Sequence, residues 1–344
     1  MIEDKFGDYV REWIPLIDAY LAKQQKPIRG RVLSAALHFV DDVIVEVRGD
    51  TKEDYHEKPW FAIVYWHVRK WYEDFYGDQL NQPTDELPGV VFINHTPFEL
   101  RMAITVSEVV EEGVSSNMVF PVEVRPEDKL TDWFLSPPNT SMIPAEGHDK
   151  LDTEIRTIVL NTRTLNLGLM TAKLESPSLN EFAGSIVGHI RTAICLILSN
   201  NTEGQSVSIW ELHMAVEKSI KLFLEQRSIG YTKTHDVRKL RDLAPSDFDS
   251  TSLDEYFGNM ISGSEAVKRR YCQGDEMSSD YIFNFYMSSL AITSFYADSL
   301  DRTYGVKNAK FTFKKPPWLD LPSAPPSPQS TCESKLNYNS TLDL

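Results

Sequence analysis

Apolar residues recur at helical spacing from the first segment onward. In residues 6–23, Val10, Trp13, Ile17 and Leu21 share one stripe ahead of Pro27, which predicts an amphipathic helix. In residues 31–47 two adjoining stripes, Val32, Ala36, Phe39, Val43 and Val47 beside Leu33, Leu37, Val40 and Ile44, cover most of the circumference. Such a helix is expected to lie deep in its domain. Residues 59–77 begin with Pro59 at the first helical position and carry Trp60, Phe61, Tyr65, Trp66, Trp71, Tyr72, Phe75 and Tyr76, predicting an unusually aromatic helix. The period then shortens. Residues 89–94, 99–110 and 117–124 are β-branched and partly alternating, separated by Thr96-Pro97 and Gly113, as in a short antiparallel meander.

After Pro137, Pro138 and Pro144, residues 151–174 read as helix or extended linker, with Gly168 weakening the helical pattern. A domain boundary is expected near Ser176-Pro177. Beyond it, residues 179–199, 207–227, 235–243, 253–271 and 278–300 all carry helical periodicity. The fold class expected is therefore an α+β amino-terminal domain (1–175), an all-α helical bundle (176–312) and a Pro/Ser-rich disordered tail (313–344).

Charge sharpens this division. The 344 residues carry a formal net charge of −15, which argues against a surface built throughout to grip phosphates. Residues 1–175 hold −12 of it and residues 176–344 only −3, so any phosphate contact is expected in the second half. Cys195, Cys272 and Cys332 are too few and too dispersed for a disulfide framework or zinc knuckle, and fit a reducing compartment. The start lacks a basic-then-apolar signal pattern, and the longest apolar run, 186–198, falls short of the roughly 20 residues of a bilayer span. The expectation is a cytoplasmic chain with no membrane segment.

The segment 210–244, WELHMAVEKSIKLFLEQRSIGYTKTHDVRKLRDLA, carries the most specific pattern. It places Ala215, Glu217, Lys218 and Lys221 on one helix, then Gly230, then Lys233, Thr234, His235 and Asp236 at the start of the next. Together with 266–271, AVKRRY, it resembles the HEPN family (higher eukaryotes and prokaryotes nucleotide-binding domain), over about residues 178–302. The resemblance implies a helical bundle that dimerises and binds a nucleotide or RNA. Physically, Thr234 can cap a helix beginning at His235, with Asp236 in its first turn, and Gly230 suits the exit of the helix before. Lys218, Lys221, Lys233, His235, Arg269 and Arg270 are the candidate ligand-binding residues, provided they converge at one end of the bundle.

Many HEPN relatives are ribonucleases of toxin or defence type that use Arg, four to six residues, then His, paired across a dimer. Here Arg269 and Arg270 are followed by Cys272, Gln273, Gly274, Asp275 and Glu276, with no histidine. A non-catalytic binding or assembly module is therefore expected, with a ribonuclease using His235 beside Arg269 or Arg270 as the alternative. Arg31 and His38 meet the spacing by themselves but lack the rest of the pattern. His38, Asp41, Asp42 and Glu46 are spaced to share one helical face, yet no further ligand signature accompanies them, so neither metal nor cofactor is expected. The aromatic helix, with His67, Arg69 and Lys70, offers a third reading, a small-molecule sensor. No glycine-rich phosphate loop or Gly-x-Ser-x-Gly elbow occurs.

Overall fold

The computed structural model describes residues 5–81, 86–112, 114–125, 128–307 and 309–314. The chain divides by its internal contacts into two compact units that part between Gln82 and Pro83.

In the first unit, α1 (Lys5–Lys23), α2 (Ile28–His38) and α3 (Pro59–Tyr76) pack pairwise. Their core joins Val10, Ile14 and Leu21 to Val32, Ala35 and Ala36 and to Phe61, Val64, Val68 and Tyr72. One carboxylate is buried with them: Asp18 accepts hydrogen bonds from the hydroxyls of Tyr72 at 2.8 Å and Tyr76 at 2.5 Å, with the Arg31 guanidinium at 3.3 Å. The second helix is shallower than its two stripes suggest. Past His38 it widens into a single π-helical stretch, Phe39–Val43, and stops, while Leu33 stays 42% exposed. Of the second stripe, Val40 joins the core and Leu37 and Ile44 pack against it, which leaves Leu33 as its exposed member.

The second unit begins with a hairpin. Strands β1 (Glu86–Ile93) and β2 (Thr96–Ala103) pair antiparallel, Ile93 opposite Thr96. Asn94 and His95 between them both have positive φ, 49° and 63°, as a two-residue turn that matches strand twist demands. Thr96-Pro97 is thus the start of a strand and not a separator. The stretch expected as one strand over 99–110 breaks after Ala103, and β3 (Val106–Glu111) turns away to pair with β4 (Ser115–Val119). The latter also pairs with β5 (Lys310–Lys314), nearly 200 residues on, so the expected meander is two separate sheets.

Of residues 151–174, all up to Thr171 belong to one 27-residue helix, α4 (Ala145–Thr171), and Ala172 leaves it to bridge Arg302. Gly168 does not weaken it. A Cβ there would stand 2.5 Å from the carbonyl oxygen of Ala297, so the glycine lets α4 press against α10 (Ser279–Asp298) backbone to backbone. The body is completed by α5 (Pro177–Leu198), α6 (Thr202–Gln226), α7 (Val237–Arg241), α8 (Asp254–Gly258) and α9 (Gly263–Arg270). Residues 253–271, expected as one helix, are broken between the last two.

A single core runs from Leu87, Val90 and Leu100 of the hairpin through Ile155 and Ile158 of α4 to Ile186, Val216, Ile220, Phe223, Tyr286 and Tyr296. The hairpin and α4 share this core with the later helices, so the compact units do not part near Ser176-Pro177. Ser176 instead caps α5 by accepting from the Leu179 amide. What the structure bears out is coarser: a first region containing a few antiparallel strands, then a mostly helical body. The apolar length of α10 is spent inside this body, against α4 and α6. Upstream of the apolar run 186–198, the same helix continues back to Pro177, which makes α5 22 residues long and apolar enough to cross a bilayer by length and composition. The predicted tail falls outside the described residues beyond Lys314, and Cys332 with it.

Candidate functional site

One face of α6 carries Trp210, His213, Glu217 and Lys221, spaced i, i+3, i+7 and i+11. Trp210, His213 and Glu217 are buried, so this face meets protein, and what it meets is the 234–236 loop and α9. The Glu217 carboxylate accepts from Lys221 Nζ at 2.6 Å and from His235 Nδ1 at 2.9 Å. Lys221 also donates to the Thr234 carbonyl at 3.1 Å. A buried carboxylate demands such partners, because removing it from water is costly unless charged donors replace the water.

His213 completes the support. Its Nε2 donates to the carbonyl oxygen of His235 at 2.7 Å, while its Nδ1 is buried with no donor facing it. Burial therefore holds this imidazole below the ordinary histidine range. From the other side Gly263, at the start of α9, touches the same peptide: a Cβ there would lie 2.9 Å from the His235 carbonyl carbon and oxygen. With Nδ1 committed to Glu217, the His235 ring directs Nε2 outward, and its side chain is 49% exposed.

The Trp210 ring links this histidine to α9. His235 stands edge-on to it, with ring centroids 5.8 Å apart at 62°, and the Arg270 guanidinium lies 5.5 Å from the centroid. Arg270 and His235 thus come together on one tryptophan, and Arg270 is exposed to solvent.

The other candidates separate. Arg269 is turned inward: Nη1 donates to the Asp275 carbonyl at 2.7 Å, and Nε lies 3.1 Å from Glu265 Oε1. Gly274, at φ 131°, makes room for that guanidinium, since a Cβ would come within 2.8 Å of it. Lys221 is committed to Glu217. Lys218 leans toward α5, its ammonium 5.9 Å from the Phe182 ring centroid, and burial lowers its pKa against the pull of Glu217 and Glu211. Lys233 is exposed and forms no ion pair among the described residues.

Local capping differs by two residues from the sequence reading. Asp236 is the cap of α7, accepting from the amides of Arg238 and Lys239, and Thr234 Oγ1 accepts from the Asp236 amide. Gly230 is not the exit of α6, because Ser228 takes the left-handed conformation at φ 57°.

Elsewhere, His38 Nδ1 lies 2.8 Å from Asp42 and Tyr55 donates to Asp41, whereas Arg31 faces Asp18 and the Lys26 carbonyl. Arg31 and His38 therefore have separate partners, and no group of three metal-ligating side chains occurs among the described residues. On α3, Phe61, Val64, Val68 and Tyr72 are core, while Trp66, Lys70 and Phe75 border an open cleft of about 260 Å³ with Trp71 and Arg11.

Glu217 was visible in the sequence as a motif position, but Trp210 and His213 were not singled out. Their common spacing with Glu217 and Lys221 is the signal that marks them. Compared with protein-family models, curated proteins and solved structures, the chain finds no match.

Proposed function

We propose that the helical body is a HEPN-like binding module that takes a nucleotide or a short RNA strand at the Arg270–Trp210–His235 patch. The observation that carries this reading is the seating of an exposed guanidinium and a half-exposed imidazole on one buried tryptophan ring. Held there, both donors face solvent without further ordering, and a phosphate is the ligand that two such donors suit. Lys233 adds an exposed cation without an ion pair among the described residues, whereas Lys221 is paired with Glu217, and Lys268 and Arg269 with Glu265.

Titration of the intact protein into a labelled RNA oligonucleotide tests the reading. Binding is expected to weaken as salt rises, with a slope of about −0.7 per phosphate contacted. Arg270→Ala is expected to lower affinity about tenfold, the loss of one charge-assisted contact. Unchanged affinity in that variant overturns the proposal.

A second reading rests on the Glu217–His235 hydrogen bond. A carboxylate that holds Nδ1 leaves Nε2 free to accept a proton, the arrangement of a general base, here beside Arg270. Cleavage of the oligonucleotide in the presence of a metal chelator, lost in His235→Ala, would establish the ribonuclease in place of the binding module.

A further inference from the structure

A cleft in the first unit holds chemistry that neither the core nor the patch on α6 uses. It lies between α1 and the outer side of α3, encloses about 260 Å³, and is lined by residues of this unit alone. Its aromatic wall is held in place from beneath. Trp71 stacks on Phe75, ring centroids 5.0 Å apart at 10°, and stands edge-on to Tyr72 at 5.1 Å and 84°. Tyr72 is core and donates to Asp18, so the stacked pair is anchored to the buried carboxylate cluster. Phe75 nevertheless stays 66% exposed, and Trp66 at the other end of the cleft 45% exposed. Aromatic area fixed in a concave wall and left in water is the surface that a ring-bearing ligand covers.

The charges in the cleft choose the occupant. Lys70 and Asp74 both line it, one turn apart on the same face of α3, yet they do not pair with each other, and neither has another ion-pair partner among the described residues. The Lys70 ammonium instead lies 5.2 Å from the centroid of Trp66. On the α1 side Arg11 is paired with Asp8 at 2.5 Å. A ligand with only a negative charge would meet Asp74 as well as Lys70, and one with only a positive charge would meet Lys70 as well as Asp74. A small zwitterion satisfies both, one group at each. The volume sets its size: about 260 Å³ lies below the roughly 300–1,000 Å³ of sites for drug-sized ligands, which suits a single amino acid and not a nucleotide.

We propose that this cleft binds a free aromatic α-amino acid, with its ring against the Trp71–Phe75 pair, its carboxylate on Lys70 and its ammonium on Asp74. Trp66 positions the Lys70 ammonium by holding it over its ring. The proposal is independent of any ligand at His235.

Isothermal titration calorimetry of the full chain with L-phenylalanine tests it. A Kd on the order of 100 µM is expected for so small a ligand in an open cleft. Phenethylamine and 3-phenylpropionate each lack one of the two charges, and each is expected to bind about tenfold more weakly. Lys70→Met is expected to weaken phenylalanine about tenfold while leaving phenethylamine no weaker, because that ligand has no carboxylate to lose a partner. Asp74→Asn is expected to weaken phenylalanine by about the same factor while leaving 3-phenylpropionate no weaker. Phe75→Ala removes part of the ring wall and is expected to lower the affinity of all three ligands about fivefold. The three side chains are exposed, so circular dichroism is expected to be unchanged in each variant. No binding up to about 10 mM phenylalanine overturns the proposal. Phenethylamine or 3-phenylpropionate binding as tightly as phenylalanine overturns it too, by assigning the cleft to a singly charged ring. An affinity indifferent to all three variants places the ligand elsewhere and overturns it equally.

Discussion

The imidazole of His213 donates to the backbone carbonyl of His235, 2.7 Å away, so a fully buried histidine on α6 fixes the peptide that carries the exposed one. Because the carbonyl can only accept, Nε2 bears the proton, and the bare Nδ1 lies in the core without a donor. A charge on this ring has nowhere to go.

Acid sensitivity follows from that relationship. The folded-state pKa of His213 is lowered from 6.5 by burial, so the unfolded chain binds the proton more readily than the folded one. Its contribution to stability is complete above pH 6.5 and is lost as the pH falls below that value, by at most about 1.4 kcal/mol per pH unit for one proton. Denaturant titrations at pH 7.5 and pH 5 measure it. His213→Gln keeps a donor for the carbonyl and removes the titration, and it is expected to flatten the pH dependence over this window.

The buried carboxylate of the first unit is expected to be the most sensitive polar position there. Asp18 receives Tyr72, Tyr76 and Arg31, and Asp18→Ala strands an arginine and two hydroxyls. A loss of about 3–5 kcal/mol is expected, against about 1 kcal/mol for Tyr72→Phe, which removes one donor and leaves two. Tryptophan fluorescence reports on it through Trp13, Trp60, Trp66 and Trp71. Equal losses from the two variants would show that the cluster does not act through Asp18.

Gly168→Ala is expected to destabilise the helical body by about 2–3 kcal/mol, since the added methyl must displace α10. Most of the clash is with the backbone of Ala297, so Ala297→Gly is not expected to rescue it. Rescue, read as a restored midpoint in thermal melts, would mean that side-chain contact sets the crossing distance.

Gly274→Ala is expected to cost about 1–3 kcal/mol, because φ 131° is closed to alanine and its methyl would strike the Arg269 guanidinium. Hydrogen exchange should accelerate first in residues 271–276. Uniform exchange with an unchanged midpoint would show that Arg269 does not hold this loop.

The sequence by itself determined what depends on near neighbours. Helical stripes mark α1, α3, α5, α6 and α10, the Thr234–Asp236 segment announces a cap, and the spacing of Glu217 and Lys221 places them one turn apart on one face. These are matters of period and of backbone hydrogen bonds within a few residues. Tertiary structure decided everything that required two distant segments to meet. Gly168 reads as a flaw in a helix until Ala297 lies against it. The strand at Lys310–Lys314 becomes a neighbour of β4 only because the chain returns there, and α4 joins the later helices because one apolar core is large enough to hold them all. Adjacent in sequence, Arg269 and Arg270 part company for the same reason: a step of about 100° along a helix turns one guanidinium inward to Glu265 and the Asp275 carbonyl, and leaves the other on Trp210 facing solvent. Which of two neighbouring cations is free to bind an anion is a property of what packs around the helix.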